Sequence, residues 1–578
     1  MRTEIRFLLA VVLMIAVLVI TNLMFPPVPP EETVAPAGID SVQVAQPEDT
    51  QGVQLPAQEG EPEQALEPPS RDPVITRTVD PLAEAEGVST QASETLVTVQ
   101  GPLFEYTFSS RGGRLISARL LSFPSFTFPG PVELISPDGQ GALGTRILAG
   151  RDTLDLRDLP FEVEPADGIQ LSASGGERTL RFVYRHPTHP FTYEVRYTFQ
   201  ADTYVVDVSG QVSGVEAELV LTELGEGIPF NEQRERDEAR MAAYVVNHLQ
   251  QGIRARQLDR VDGELVEDGP LLWTAFKSKY FLMALLAGSA EEEEAYLGGV
   301  LVRDGAGEYQ AHLTTTQALG ADGAFSNRLF LGPQQFARLS NLGDDMQNVN
   351  PYGWRFIRPV VRPFVGIVMG ILTFLHENLK LGYGWVLVLF GVLMRVVLFP
   401  LNQKAMRSQI KNMAVQPLIQ EIQAKYKDQP EKLQKEMMKL YKEHGFNPLG
   451  GCLPMLLPWP VLIALFFVFQ NTIQLRGVPF LWLPDLSAPD PYFILPAFLG
   501  ISMFLLQWVS MRSMPQTNQQ MKMMMYVMPV MMVFIFFQLA SGLNLYYSVA
   551  NLATLPQQIW IAGERKKAQG KTPLTLSK

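Results

Sequence analysis

Six stretches of this chain stay apolar over about the length a helix needs to cross a hydrocarbon core ~30 Å thick. They lie at 5–25, 383–401, 453–470, 492–510, 523–540 and 543–561. Lipid offers no partner to a backbone N–H or C=O, so stretches of this length are expected to be membrane helices. The first has Arg2 and Arg6 at its start and runs into a proline-rich stretch with no small-residue cleavage site. It is therefore expected to be an uncleaved signal anchor.

Charge sorts the rest. Residues 26–350 hold 49 acidic and 23 basic side chains, and the remainder of the 578 holds 10 and 24. An acidic chain with no aromatic RNA-binding motif argues against DNA or RNA as the main partner. Nine Lys/Arg fall within 403–449, Arg512 and Lys522 lie between the fourth and fifth spans, and five follow residue 562. The loop 471–491 carries only Arg476. The positive-inside rule then predicts cytoplasmic termini and a large acidic region on the periplasmic side of a bacterial inner membrane.

The expected organisation follows from these textures. Residues 1–25 form the anchor and 26–95 a disordered, acidic, proline-rich linker. Residues 96–345 are strand-like. In "FTYEVRYTFQADTYVVDVSGQV", Phe191, Tyr193, Val195, Tyr197 and Phe199 alternate with polar residues, which predicts a half-buried strand, a turn and a second strand. Many such runs point to an all-β sandwich. Residues 346–380, with Trp354, Phe356 and Phe364 beside Arg355, Arg358 and Arg362, suit an interfacial amphipathic helix. A second membrane helix at 381–403 precedes a cytoplasmic helical hairpin at 404–449. Its arms carry Met413, Leu418, Ile422 and Tyr426, then Leu433, Met437, Leu440 and Tyr441, around a break near Asp428–Pro430. Residues 450–561 supply membrane helices three to six, and 562–578 a basic tail.

Catalytic signatures are missing. "GKT" at 570–572 lacks the upstream glycine of a phosphate-binding loop, and no G-x-S-x-G elbow occurs. Cys452 is the only cysteine, which excludes a disulfide within the chain and any multi-cysteine metal site. His186 and His189, in "HPTHP", read as a surface turn rather than a metal site, and no carboxylate pair stands out from the solvated faces. Neither an enzyme nor a cofactor is expected.

One residue resists the hydrocarbon reading. "FGVLMRVVLFPLN" places Arg395 inside the second span, about 13 Å of helix from Lys404. A mid-membrane arginine costs at least ~2.5 kcal/mol. No Asp or Glu in the other core spans offsets it; Gln470, Gln507, Gln538, Asn544 and Asn551 are the polar candidates. A water-filled cavity among the helices would relieve that cost, and snorkelling to the headgroups is the alternative. "QQMKMMMYVMPVMMVFIFF" meanwhile concentrates methionine, including Met524, Met528, Met531 and Met532. Methionine suits a surface that must accept many apolar partners, and equally an ordinary lipid-facing core.

Four stretches, "LMRVVLFPLNQKAMRS", "NPLGGCLPMLLPWPV", "LWLPDLSAPDPYFILP" and "SGLNLYYSVANL", occur in that order. With them the chain resembles the YidC membrane-protein insertases over all but the 26–95 linker. The resemblance implies a five-helix core forming a hydrophilic groove, and a periplasmic β-supersandwich. It implies that Arg395 is the groove arginine and that Tyr546 and Tyr547 are the paired tyrosines of the last helix. Leu462 would contact substrate. To that set the residues themselves add Gln507 as a polar groove candidate and Met524, Met528, Met531 and Met532 as an apolar slide. The implied partners are nascent inner-membrane proteins, the Sec translocon, the ribosome and the phospholipid bilayer. Pro458 and Ala540 depart from residues common in the family. A solute transporter with a sugar-binding-like outer domain is the rival reading. It predicts ionisable residues in several spans and repeated halves, and neither is visible. An anchored carbohydrate enzyme would leave five further spans unexplained.

Overall fold

The computed structural model describes residues 93–288, 295–350, 358–426, 429–443, 459–512 and 519–569. The anchor, the 26–92 part of the linker, Cys452, Pro458 and the basic tail from 570 lie outside them. Contacts divide the chain into two units, one of 76–416 with 445–578 and the other of 1–75 with 417–444.

The first unit contains a large all-β domain. Phe191 and the inward residues of strand Thr192–Phe199 are all buried, as the alternation predicts, and the strand pairs with Val205–Ser213 across the "QADT" turn. Strand Arg178–Arg185 flanks it on the other side, setting Tyr193 against Tyr184, Val195 against Phe182 and Tyr197 against Leu180. This hairpin belongs to a 14-stranded sheet. A five-stranded sheet, built on Leu96–Gln100, Phe104–Ser109 and Leu115–Pro124, lies against it. Aromatic rings join the two faces: Phe108 meets Phe182 at 5.8 Å and Tyr197 at 4.9 Å between centroids. Two layers share one core; Thr192–Phe199 buries every second side chain, while Ala243–His248 and Phe281–Ala287 are buried on both faces.

The described helices, in chain order, are α1 (Glu235–Ala239), α2 (Phe336–Leu342), α3 (Arg358–Leu379), α4 (Tyr383–Lys425), α5 (Pro430–Glu443), α6 (Trp459–Asn471), α7 (Ile494–Met511), α8 (Gln519–Phe536) and α9 (Ser541–Gln569). Among the described residues, three helical segments are long and apolar enough to cross a membrane: α3, the Tyr383–Pro400 part of α4, and α7. Val461–Asn471 and Tyr526–Phe536 are shorter apolar helices. α3, read from sequence as interfacial, thus has the length and composition of a span as well.

These helices close a second core. α3 contributes Val361, Val365, Val368, Met369, Leu372 and Leu375, a stripe at helical spacing, and packs on α6. Glycine sets the closest approaches. A Cβ on Gly391 of α4 would lie 3.2 Å from Val549 Cγ1 of α9, and one on Gly500 of α7 would lie 2.5 Å from Val533 of α8. Small residues where backbones meet are how helices associate without a hydrophobic driving force between them. Ser502 of α7 accepts a hydrogen bond from Asn551 Nδ2 of α9 at 3.1 Å.

Helix α4 runs unbroken for 43 residues, past Pro400 and Pro417, to Lys425. Pro430 opens α5, a position where its missing N–H costs nothing. In the second unit Leu418, Ile422 and Leu440 are buried while Leu433, Met437 and Tyr426 are partly so. The side chains of Met413 and Tyr441 lie outside the description.

Candidate functional site

Gly391 allows α4 to approach α9 beside the Tyr546 carbonyl, and Arg395 follows it by one turn on the same face of the helix. The guanidinium is thereby brought into electrostatic range of Tyr546 and Tyr547. Among the described residues, no carboxylate lies within 4.0 Å of Arg395. It is partly buried, between buried Met394 and exposed Val396 and Val397.

Aromatic packing holds the tyrosines. The Tyr546 ring lies 5.6 Å from Phe390 of α4 and 5.7 Å from Phe469 of α6, so it sits where three helices meet. Tyr547 stacks edge-on against Tyr546 and Phe536, each at 5.3 Å. The arrangement is a fixed cation beside two phenols in otherwise apolar surroundings, able to attract an anionic or hydrogen-bonding group. It holds no nucleophile–base pair, and no group of His, Cys, Asp and Glu that could hold a metal occurs among the described residues.

Arg395, Tyr546 and Tyr547 therefore share one neighbourhood. Leu462 lies on α6 beside buried Val461, and Gln507 is partly buried on α7. No described hydrogen bond or ion pair joins either to Arg395. Met528, Met531 and Met532 are partly buried on α8, whose Val527, Val530 and Phe534 are exposed along one face. The side chain of Met524 lies outside the description.

A second polar cluster emerges from the structure and not from the sequence. Arg476, the lone cation of loop 471–491, donates from Nε to Glu232 Oε1 at 2.6 Å and from Nη2 to the Asn231 carbonyl at 3.3 Å. Their side chains are 2% and 8% exposed. The guanidinium also lies over the Phe126 ring, 4.3 Å from its centroid. Asn231 Nδ2 donates to the Glu133 carbonyl, and the Asn231 and Glu232 amides both donate to Glu238 Oε2, at 2.8 and 2.9 Å. The β domain is thus joined to the loop between α6 and α7 through buried charge. The same loop caps its helix: buried Asp490 accepts from the Leu495 amide at 2.7 Å, at the first turn of α7. Its neighbours Leu481, Tyr492 and Phe493 are exposed.

Burial, and then the nearby Glu232 carboxylate, push Glu238 up to about 7 from an ordinary 4.5. A raised carboxyl pKa means the folded state holds the proton more tightly. Its stabilising contribution is complete below about pH 4.5 and is lost as pH rises through about 7. The swing is on the order of 3 kcal/mol. Glu238→Gln should match the wild type near pH 5 and exceed it in thermal stability at pH 8, measured on the full chain in detergent. Equal stability at pH 8 would remove Glu238 from this role.

Comparison with known proteins follows the same division. Residues 374–569 match the family described as 60Kd inner membrane protein, and 96–365 match the family described as YidC periplasmic domain. The chain is similar to the membrane protein insertase YidC of Chlorobium limicola, 31% identical over 506 residues, covering 82% of this chain and 84% of that one. It is 34% identical over 500 residues to the Chlorobium luteolum protein of the same name, covering 81% and 83%. A crystal structure of an active YidC insertase with its first transmembrane domain resolved aligns at 19% identity, with 81% and 92% coverage and a TM-score of 0.32.

Proposed function

Because the chain belongs to the YidC membrane protein insertase family, we propose that Arg395, Tyr546 and Tyr547 line a hydrophilic groove through which it inserts its substrates. The chain is an inner-membrane insertase, not an enzyme, and its partners are membrane proteins and the bilayer. The transporter reading falls with that assignment.

The observation that carries the groove is an arginine without a carboxylate partner among the described residues, held by a glycine contact beside two phenols in an apolar helix. Such a charge is tolerable where water reaches it. The polar outer segment of a substrate enters beside Arg395, which shortens its path through low dielectric. Leu462 and Gln507 complete the lining. The apolar segment then leaves along α8, where Met524, Met528, Met531 and Met532 adapt to its shape. Hydrophobic partitioning drives that exit, and the membrane potential acts on charges in transit.

The finer arrangement belongs to the same proposal. Six crossings, cytoplasmic termini, a cytoplasmic hairpin at 404–449 and a periplasmic β domain are supported by the charge distribution. Leu481, Tyr492 and Phe493, exposed near the β domain's junction, suit a membrane–water interface there. The basic hairpin fits a ribosome, and the Sec translocon is the further partner.

The groove is tested by water access. With Cys452→Ser as background, single cysteines at 462 and 507 should react with a membrane-impermeant maleimide much faster than cysteines at lipid-facing 396 and 534. Equal, slow labelling at all four positions would contradict a wet groove.

A further inference from the structure

A cavity of about 650 Å³ lies between the hairpin of strands Ala243–His248 and Gly252–Gln257 and the first turn of α3. Its lining includes Arg254 and Arg256 from the strand and Arg358 and Arg362 from the helix. The pattern follows from backbone geometry. Residues two apart on a strand share a face, and residues four apart on a helix share a face, so each element presents two guanidinium groups to the same space.

Four arginines there face one carboxylate, Glu267, which already accepts from the Tyr244 hydroxyl at 3.0 Å and lies 3.5 Å from His248 Nε2. Among the described residues, no carboxylate lies within 4.0 Å of Arg254, Arg256 or Arg362. The cavity therefore has a surplus of positive charge and a volume well beyond that of one phosphate ion. Paired guanidinium groups match phosphate oxygens in charge and in planar two-point geometry.

The helix below says what kind of phosphate. α3 buries one face in the bundle and exposes Val360, Ile367 and Phe374 at seven-residue spacing on the other. A helix apolar on both faces lies against acyl chains, so its arginine end comes to the level of the headgroups. We infer that this cleft binds the phosphate headgroup of an anionic phospholipid, seating the Gly252–Gln257 strand of the β domain on the membrane beside α3.

The test uses the full chain in nanodiscs of phosphatidylcholine with a minority of phosphatidylglycerol, reading retained lipid by native mass spectrometry. R254E/R256E should lower retained phosphatidylglycerol by about tenfold or more. R254Q/R256Q, which removes charge without adding repulsion, should show most of that loss. R178E/R260E, with the same change in net charge at exposed positions outside the cleft, should retain it like the wild type. Equal retention by R254E/R256E and the wild type would overturn the site. An equal loss in R178E/R260E would reduce the effect to net charge and overturn it too. Displacement of the lipid by inorganic phosphate alone, with the same dependence on Arg254 and Arg256, would make it a free-phosphate site and reject the lipid.

Discussion

Arg395→Ala should slow insertion of single-span substrates with short acidic outer tails by about tenfold or more, the equivalent of at least ~1.4 kcal/mol of barrier. A unit charge pair at 4 Å contributes ~4 kcal/mol at an effective dielectric near 20, so loss of a third of that is enough. Arg395→Lys should keep more than half the wild-type rate, since a point charge remains although the planar donor set is lost. Substrates with neutral tails should be much less affected by either change. In vitro translation into proteoliposomes, scored by protease protection of the tail, measures all three cases. A wild-type rate for acidic tails with Arg395→Ala would sink the electrostatic step while leaving the family assignment untouched.

The second large effect is expected at Arg476. Arg476→Ala leaves Glu232 buried beside Glu238 with its cation gone, and breaking a buried pair in this way costs about 3–5 kcal/mol. The loss should appear as faster hydrogen exchange in the segments the guanidinium holds, around Phe126 and Asn231, and in the 472–490 loop. Replacing both partners, Arg476→Met with Glu232→Leu, should recover most of the stability, because an apolar pair has no charge left to desolvate. If the double variant is as unstable as Arg476→Ala, the loss comes from packing on Phe126 and not from the stranded carboxylate. Insertion should fall less than stability does, since Arg395 and its tyrosines are not part of this cluster.

Sequence legibility differed between the two halves for a physical reason. A strand that buries one face writes its register as alternation, so Phe191, Tyr193, Val195, Tyr197 and Phe199 could be assigned inward from the pattern alone. Arg395 was legible because a charge inside hydrocarbon is costly wherever it occurs, and its neighbour Gly391 shows why α9 is close enough to matter. Arg476 carried only its isolation as a signal. Its partner lies 244 positions away in the chain, and nothing local specifies which carboxylate a lone cation will meet. Composition changes near 401–404, yet α4 continues through that point because no glycine ends the helix there. α3 has a hydropathy shared by interfacial and crossing helices, and its seat against α6 is information that only packing carries.

The most direct test of the groove is photo-crosslinking of a stalled nascent chain. A photoreactive residue at 547, or at 462, should crosslink to the substrate's polar outer segment and to its apolar segment at successive chain lengths. The same probe at exposed Phe534 should capture only the apolar segment, and one at Ile367 should capture neither. Crosslinks to the polar segment from 547 that weaken with Arg395→Ala are the predicted result. A substrate captured equally from 367 and 547, with no dependence on Arg395, would contradict insertion through a groove at this site.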